Sequence, residues 1–294
     1  MKITELFKEG KFVVTAEVGP PKGINIDEMI EDAKKYLGNI DAINVTDNQS
    51  SVMRLGSLAV CKALKDEGFN PIFQMTCRDR NRIALESDLL SAAMFGIDNV
   101  LALTGDYTKL GDHPGAKPVF DLDSVSLLYT MCQLEAGKDL GGQDLVGEFP
   151  SWAKGAVVSP CSDSLDAQLV KMERKIKAGA EFFQTQAVFD SERYIRFAEI
   201  VKKEFDVPVQ LGIIIPKNAG MCNFMNNNVA GIVIPPAIID ELKADKEKTK
   251  AGITGTEIAA RIIRECRDYC QGAHIMTLGW ESKIPALLEQ SGLA

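Results

Sequence analysis

KFVVTAEVGPPKG, residues 11–23, is the stretch that separates two folds. Its first nine residues are apolar and β-branched enough for a buried strand, and the Gly-Pro-Pro turn ends that strand. An open sheet built for a dinucleotide would carry G-x-G-x-x-G at this first strand-to-helix turn, and VGPPKG does not match it. Outward from this stretch, the same kind of run recurs as DAINVTD from Asp41, NPIFQMTC from Asn70, DNVLALTGD from Asp98 and GAVVSP from Gly155. It continues as AEFFQTQAVF from Ala180, VPVQLGIIIP from Val207 and AHIMTL from Ala273. Stretches with helical periodicity lie between them, among them IDEMIEDAKKYL from Ile26, LGSLAVCKALKDEG from Leu55 and DAQLVKMERKIKAGA from Asp166. Ser164 and Ser191 stand where N-caps belong, and Gly68 and Gly179 where helices stop. Repeated strand-helix-strand units pair in parallel through right-handed crossovers, and eight of them favour closure into a (β/α)8 TIM barrel. An open doubly wound sheet is the alternative.

The 294 residues are 46% hydrophobic and 25% charged, the balance of a globular protein. Barrels of this kind use roughly 250 residues as one domain, so residues 1–294 are expected to form a single catalytic barrel with elaborated loops at its C-terminal face. The glycine-rich stretch 137–154 reads as a long loop, because alternation resumes after it. Residues 218–254 read as extra short helices at the barrel mouth, with KADKEKTK as a solvated surface turn. A formal charge of -8 without a basic run disfavours nucleic acid. No apolar stretch suits a signal peptide or a bilayer span, so a cytoplasmic protein without membrane contact is expected. The seven cysteines are scattered and odd in number, which favours reduced thiols; Cys266 and Cys270 have i,i+4 spacing, but with two histidines in the chain no four-ligand metal set is evident.

In such a barrel the reacting groups come from the carboxyl ends of the strands. Glu17 sits among Val13, Val14, Ala16 and Val18, where burial without partners is costly and raises a carboxyl pKa, as suits a proton donor. Equally open is an outward Glu17 paired with a helix lysine. Thr46, Asp47, Asn48 and Gln49 could bind a polar heterocycle or cap a turn. Gln74 and Thr76 share one face of their strand, as ligands or as polar filling. Thr104, Gly105 and Asp106 could let a flat ligand approach the backbone or could simply make a tight turn. Gln184 and Gln186 also share a face. Together these describe a mouth of amides, hydroxyls and two acids, suited to a flat hydrogen-bonding ligand rather than to a metal or a Ser-His-Asp triad.

The segments TAEVGPPKG, NVTDNQS, MTCRDR, LALTGD, KAGAEFFQTQAVFD, LGIIIP and IMTLGWE resemble, in order, segments of the methylenetetrahydrofolate reductases, across nearly the whole chain. The resemblance implies a TIM barrel with a flavin, usually FAD, across its carboxyl end. It implies hydride transfer from reduced flavin to the one-carbon unit of 5,10-methylenetetrahydrofolate, giving 5-methyltetrahydrofolate. By the same resemblance Glu17 is the acid that assists protonation at N10, Asp106 lies near flavin and pterin, and Gln186 binds folate. Thr46, Gly105 and Lys175 match flavin-contacting positions, with Thr104 on the same turn. Gln74 stands where members carry a flavin-side histidine, and Thr104 replaces an arginine. Gly220 stands where an aromatic holds substrate or nicotinamide, and Ser159 occupies a flavin-side position near the adenosine part that is often aromatic. These departures open FMN beside FAD, and a partner protein beside NADH as electron donor. They resemble the anaerobic one-carbon branch, which implies an iron-sulfur partner subunit; an oligomer is also expected. A chain ending without the C-terminal regulatory domain of the animal members is expected to have no S-adenosylmethionine switch.

Two other classes compete. A pterin-binding barrel could serve a partner methyltransferase without redox chemistry. A Schiff-base lyase would need a desolvated strand lysine, whereas Lys154, Lys175 and Lys217 read as loop or helix residues.

Overall fold

A computed structural model describes residues 1–294, with eight parallel strands in chain order around a closed barrel. They are β1 (Val13–Val18), β2 (Ala42–Val45), β3 (Pro71–Thr76), β4 (Asn99–Leu103), β5 (Ala153–Val158), β6 (Phe182–Thr185), β7 (Val209–Ile214) and β8 (Gly272–Met276). Gly272 pairs with Gln210 of β7 on one side and Val13 of β1 on the other, which closes the ring and sets aside the open sheet. The helices that alternate with the strands are α2 (Asp27–Tyr36), α3 (Ser57–Asp66), α4 (Arg82–Met94), α5 (Ser124–Glu135), α6 (Leu165–Lys177), α7 (Ser191–Glu204), α11 (Ile253–Cys266) and α12 (Ile284–Ser291). Added to these are α1 (Ile3–Lys8) before the barrel, and α8 (Ala219–Asn228), α9 (Pro236–Ala244) and α10 (Lys246–Lys250) after β7. No helix is long and apolar enough to cross a membrane.

The two-residue period of each strand divides its side chains between two environments. Outward residues such as Val14, Ala16, Ile43, Phe73, Val100, Leu211 and Ile275 join the apolar helix faces in a core of 63 buried residues. Inward residues stack in tiers. The base tier is Val13, Ala42, Ile72, Leu101, Ala153 and Phe182, with Ile3 and Leu6 of α1 packed beneath it as a plug. Gly155 makes this base possible, since a Cβ there would lie 2.2 Å from Cζ of the Phe182 ring. Above lies a polar tier of Thr15, Asn44, Gln184, Gln210 and His274, each buried. Glu17, Gln74 and Thr76 form the rim above that.

Local chemistry differs from the sequence reading at a few points. Asp190, not Ser191, caps α7 by accepting from Arg193 N; Ser191 is the first helical residue and its hydroxyl binds Glu265. Ser164 takes the N-cap position of α6 without a side-chain bond, while Gly68 and Gly179 end their helices at φ 88° and 112°. KADKEKTK is helical instead of a solvated turn: it ends α9 and forms α10, with Asp245 capping Lys248 N and Thr249 buried. Lys154 belongs to β5 and not to a loop. Burial opposes its charge, but the Glu135 hydrogen bond and the Glu181 carboxylate hold its pKa above the usual lysine range. It is a paired cation at the strand's first turn, unsuited to a Schiff base. All seven cysteines are unpaired, and burial pushes the Cys266 thiol up to about 12 and the Cys270 thiol to about 11.

Candidate active site

Glu17 is the fifth residue of β1 and points into the barrel, its residue only 9% exposed. The outward reading is thereby excluded. Its Oε1 accepts from Gln74 Nε2 at 2.9 Å, and His274 Nε2 lies 3.4 Å from the same oxygen. Oε2 makes no hydrogen bond within the protein.

The histidine's orientation follows from counting donors in the tier beneath. Gln184 Nε2 lies 3.3 Å from the Thr15 hydroxyl and 3.0 Å from Gln210 Oε1, and Gln210 Nε2 also lies 3.3 Å from Thr15 Oγ1. Asn44 donates to Gln184 Oε1 at 2.8 Å. Thr15 therefore accepts from amides and keeps its one proton for His274 Nδ1, 2.9 Å away. With Nδ1 accepting, the ring proton sits on Nε2 and faces Glu17, an assignment from hydrogen-bond capacity. Thr15 and His274 are hydrogen-bonded, and the His274 ring lies just beneath Glu17 at the rim.

A second network ties the loops after β2, β3 and β4. Asp47, with a fully buried side chain, accepts from Thr76 N and Oγ1 at 2.9 and 2.8 Å and from both terminal nitrogens of Arg80 at 2.7 and 3.2 Å. Burial opposes the Arg80 charge, yet the Asp47 bond holds its pKa above the ordinary value. Arg78, 2% exposed, donates to Asp79, to Asn48 O and to Asp106 O. The turn at residues 104–106 is thus fixed from below. Gly105 adopts φ 94°, and a Cβ there would meet Arg78 Cβ at 3.1 Å and Thr76 Cβ at 3.2 Å, so the tight-turn reading accounts for this glycine.

These elements surround a cavity of about 330 Å³ at the carboxyl end of the strands, which brings together Glu17, Gln74, Thr104, Gly105, Asp106 and Gln186. Asp47, Asn48, Thr76, Arg78, Gln184 and His274 also line it. Asp106 is exposed, and its carboxylate has no partner in the protein. Gln186 uses Oε1 on Ala187 N at 3.1 Å, which leaves its NH2 to the cavity. Thr104 Oγ1 accepts from Ser124 N at 3.1 Å, anchoring the start of α5. Three expected residues lie outside this lining. Thr46 is buried against Gly19 with its hydroxyl unbonded. Ser159 packs against Gly231 of the α8–α9 connection. Lys175 donates from Nζ to Val157 O at 2.7 Å, and burial, with Lys171 nearby, lowers its pKa to about 8. A larger groove of about 890 Å³ lies at the opposite end, lined by residues such as Phe7, Lys202, Pro208 and Tyr269; none of the strand-end polar groups reaches it.

Sequence reasoning passed over His274, Arg78 and Arg80. His274 was the one histidine in a strand and could have been singled out on that ground, since inward alternation from Gly272 reaches it. The arginines of MTCRDR give no such signal, because charged residues after a strand read as surface.

The amide, hydroxyl and carboxylate lining fits planar heterocycles with N–H and C=O edges, and a flavin and a pterin are both of that kind. Among known proteins, the chain is 28% identical over 215 residues to the 5,10-methylenetetrahydrofolate reductase of Pectobacterium carotovorum subsp. carotovorum, covering 71% of this chain and 66% of that protein. It is 25% identical over 278 residues to the Escherichia coli K12 protein of the same name, covering 92% and 87%. With methylenetetrahydrofolate reductase 2 of Schizosaccharomyces pombe the identity is 25% over 229 residues, and the match spans 35% of that longer protein. Among solved structures, a Clostridium thermocellum protein that binds two copies of 5-methyl-5,6,7,8-tetrahydrofolic acid superposes with a TM-score of 0.65 at 16% identity, covering 99% and 98% of the two chains. Oxaloacetate acetylhydrolase superposes at 0.54 with 10% identity, so likeness at this level speaks for the barrel and not for its chemistry. The family model for methylenetetrahydrofolate reductase matches residues 2–292, and the chain belongs to that family.

Proposed function

We propose that this protein is an oxidoreductase that reduces 5,10-methylenetetrahydrofolate to 5-methyltetrahydrofolate in the cytoplasm. The observation that carries this reading is Glu17, a carboxyl group inside the barrel with one oxygen held by the Gln74 amide beside His274 and the other free, in a cavity it shares with Asp106 and Gln186. Gln74, Thr104, Gly105 and Thr46 are the residues that would hold a flavin, FAD in the first place and FMN otherwise, with Lys175 and Ser159 toward its tail. A bound reduced flavin supplies the hydride that the one-carbon unit receives. The chain's own residues do the rest. Gln186 and Asp106 hold the N–H and C=O edge of the pterin, which fixes its plane over the cavity. Glu17 gives a proton from Oε2 to the substrate nitrogen released when the five-membered ring opens. As its charge develops, the Gln74 N–H group already donating to Oε1 stabilises it without reorganising, with the His274 ring 3.4 Å from the same oxygen. Electrons come from NADH or from an iron-sulfur partner subunit.

Visible absorption of the purified protein, with release and identification of the flavin, is the first test. The second is Glu17→Gln. Loss of the acid is expected to slow reoxidation of reduced flavin by methylenetetrahydrofolate by about 10²–10⁴-fold while flavin stays bound. A colourless protein that cannot be loaded with flavin would overturn the reading. Unchanged turnover in Glu17→Gln would favour a pterin-binding barrel that serves a methyltransferase.

A further inference from the structure

Two of the loops that line the strand-end cavity have little of their own to hold them. Asp106 makes one hydrogen bond within the protein, from Arg78 Nη1 to its backbone carbonyl at 3.3 Å, and its carboxylate is left to the cavity. In the loop after β2, Asn48, Ser50 and Ser51 lie in the left-handed region, at φ 44°, 55° and 60°. None of them is glycine, and three such residues within four positions persist only where the surroundings dictate them. Arg78 is the side chain common to both loops, since its Nη2 donates to Asn48 O at 3.2 Å. Its charge is already met by Asp79, which accepts from Nε at 2.8 Å and from Nη2 at 2.7 Å. That pair occupies one edge of the guanidinium fork and leaves further N–H groups of Nη1 and Nη2 for the two carbonyls. At 2% exposure, Arg78 makes these bonds out of reach of competing water.

We propose that Arg78 is a positioning residue for folate binding: it sets the pterin-holding carboxylate of Asp106 against the loop after β2, through two backbone carbonyls and not through its charge. The assignment rests on the folate reading above and extends it. A lysine at this position would keep a positive charge beside Asp79, but its single ammonium group lacks the planar fork and cannot span both carbonyls while holding the carboxylate. The neighbouring Arg80 has a different task. Its bonds go to Asp47, Asp88 and the Thr76 carbonyl, and none reaches residues 104–106.

The test is a double-mutant cycle read by binding, with 5-methyltetrahydrofolate titrated anaerobically into the reduced protein, where it meets no hydride acceptor. Arg78→Lys and Asp106→Asn are each expected to weaken binding about tenfold, and the double variant by about tenfold also, because Arg78 acts through Asp106. Arg80→Lys combined with Asp106→Asn is expected to give the product of the two separate effects. A loss of about a hundredfold in the Arg78→Lys, Asp106→Asn pair overturns the proposal and leaves the reductase reading intact, as does native affinity in Arg78→Lys. Equal coupling in the Arg80 pair also overturns it, since that would be a general loosening of the mouth. Where Arg78→Lys does not fold, Asp79→Asn carries the same cycle. It keeps the side-chain shape but frees the fork, and a loss of about threefold is expected, absent again once Asp106 is asparagine. Native affinity in Asp79→Asn, or the same loss in both backgrounds, then overturns the proposal. Failure of the native protein to bind 5-methyltetrahydrofolate defeats the folate reading itself, and the positioning role falls with it.

Discussion

The Thr46 side chain is buried behind Gly19 with a hydroxyl that bonds to nothing in the protein. Thr46→Val removes no hydrogen bond, so its unfolding free energy is expected within about 0.5 kcal/mol of the native value, while flavin retention on gel filtration falls. A clear loss of stability would show instead that the hydroxyl serves the fold. Lys175 presents the opposite case, a cation held at a cost to stability. Burial lowers its folded pKa to about 8 from 10.5, so between those values the unfolded chain holds a proton that the native state has shed, and stability rises with pH through that window. Below about pH 8 both states are charged and the full penalty applies. Lys175→Met is therefore expected to stabilise the protein at pH 7 by on the order of 1–3 kcal/mol after loss of the Val157 carbonyl bond, with the gain shrinking toward pH 10.5 in urea titrations. The same variant should release flavin more readily, as expected of a buried cation kept for an anionic group. An equal gain at both pH values would contradict the burial account. At this scale the sequence was readable where one residue broke a pattern, as Glu17 breaks an apolar strand. It was silent where burial arises from loops meeting, as for Arg78, whose partners Asn48 and Asp106 are 30 and 28 positions away.

Among the elements, the strands announced themselves, because alternation and flanking turns persist over enough residues to be read. β5 was the exception in its first turn: Trp152, Ala153 and Lys154 follow a long glycine-rich loop, and a lysine there reads as its end. α1 escaped notice for a related reason, since its six residues are too few to show a helical period. Its weight in the structure is nevertheless considerable, with Ile3 and Leu6 closing the base of the barrel under Val13, Ile72 and Phe182. Leu6→Ala is expected to lower stability by about 2–4 kcal/mol in equilibrium denaturation, the range for removing a well-packed core leucine. A loss under about 0.5 kcal/mol would mean that α1 lies against the barrel without packing into it. The helices at the mouth were expected as a class, but α10 was not. Its run of lysines conceals Thr249, whose hydroxyl bonds Leu242 O at 2.9 Å and fastens the segment to α9.

For the molecule as a whole, the decisive step is the meeting of the last strand with the first. Thr15 and His274 are neighbours in register across that seam although 259 positions separate them in the chain, and their hydrogen bond, which sets the histidine beside Glu17, exists only because the ring closes. Eight repeats made closure legible from sequence, whereas the side-chain relation it creates was not, since no local pattern encodes which residues a seam will bring face to face. The plugged base carries a kinetic implication of its own. A vessel stoppered at the bottom has a single doorway, so whatever enters at the rim must depart by it. A departing methylated folate and an arriving methylene folate then contend for the same passage, and slow exit of the first delays admission of the second.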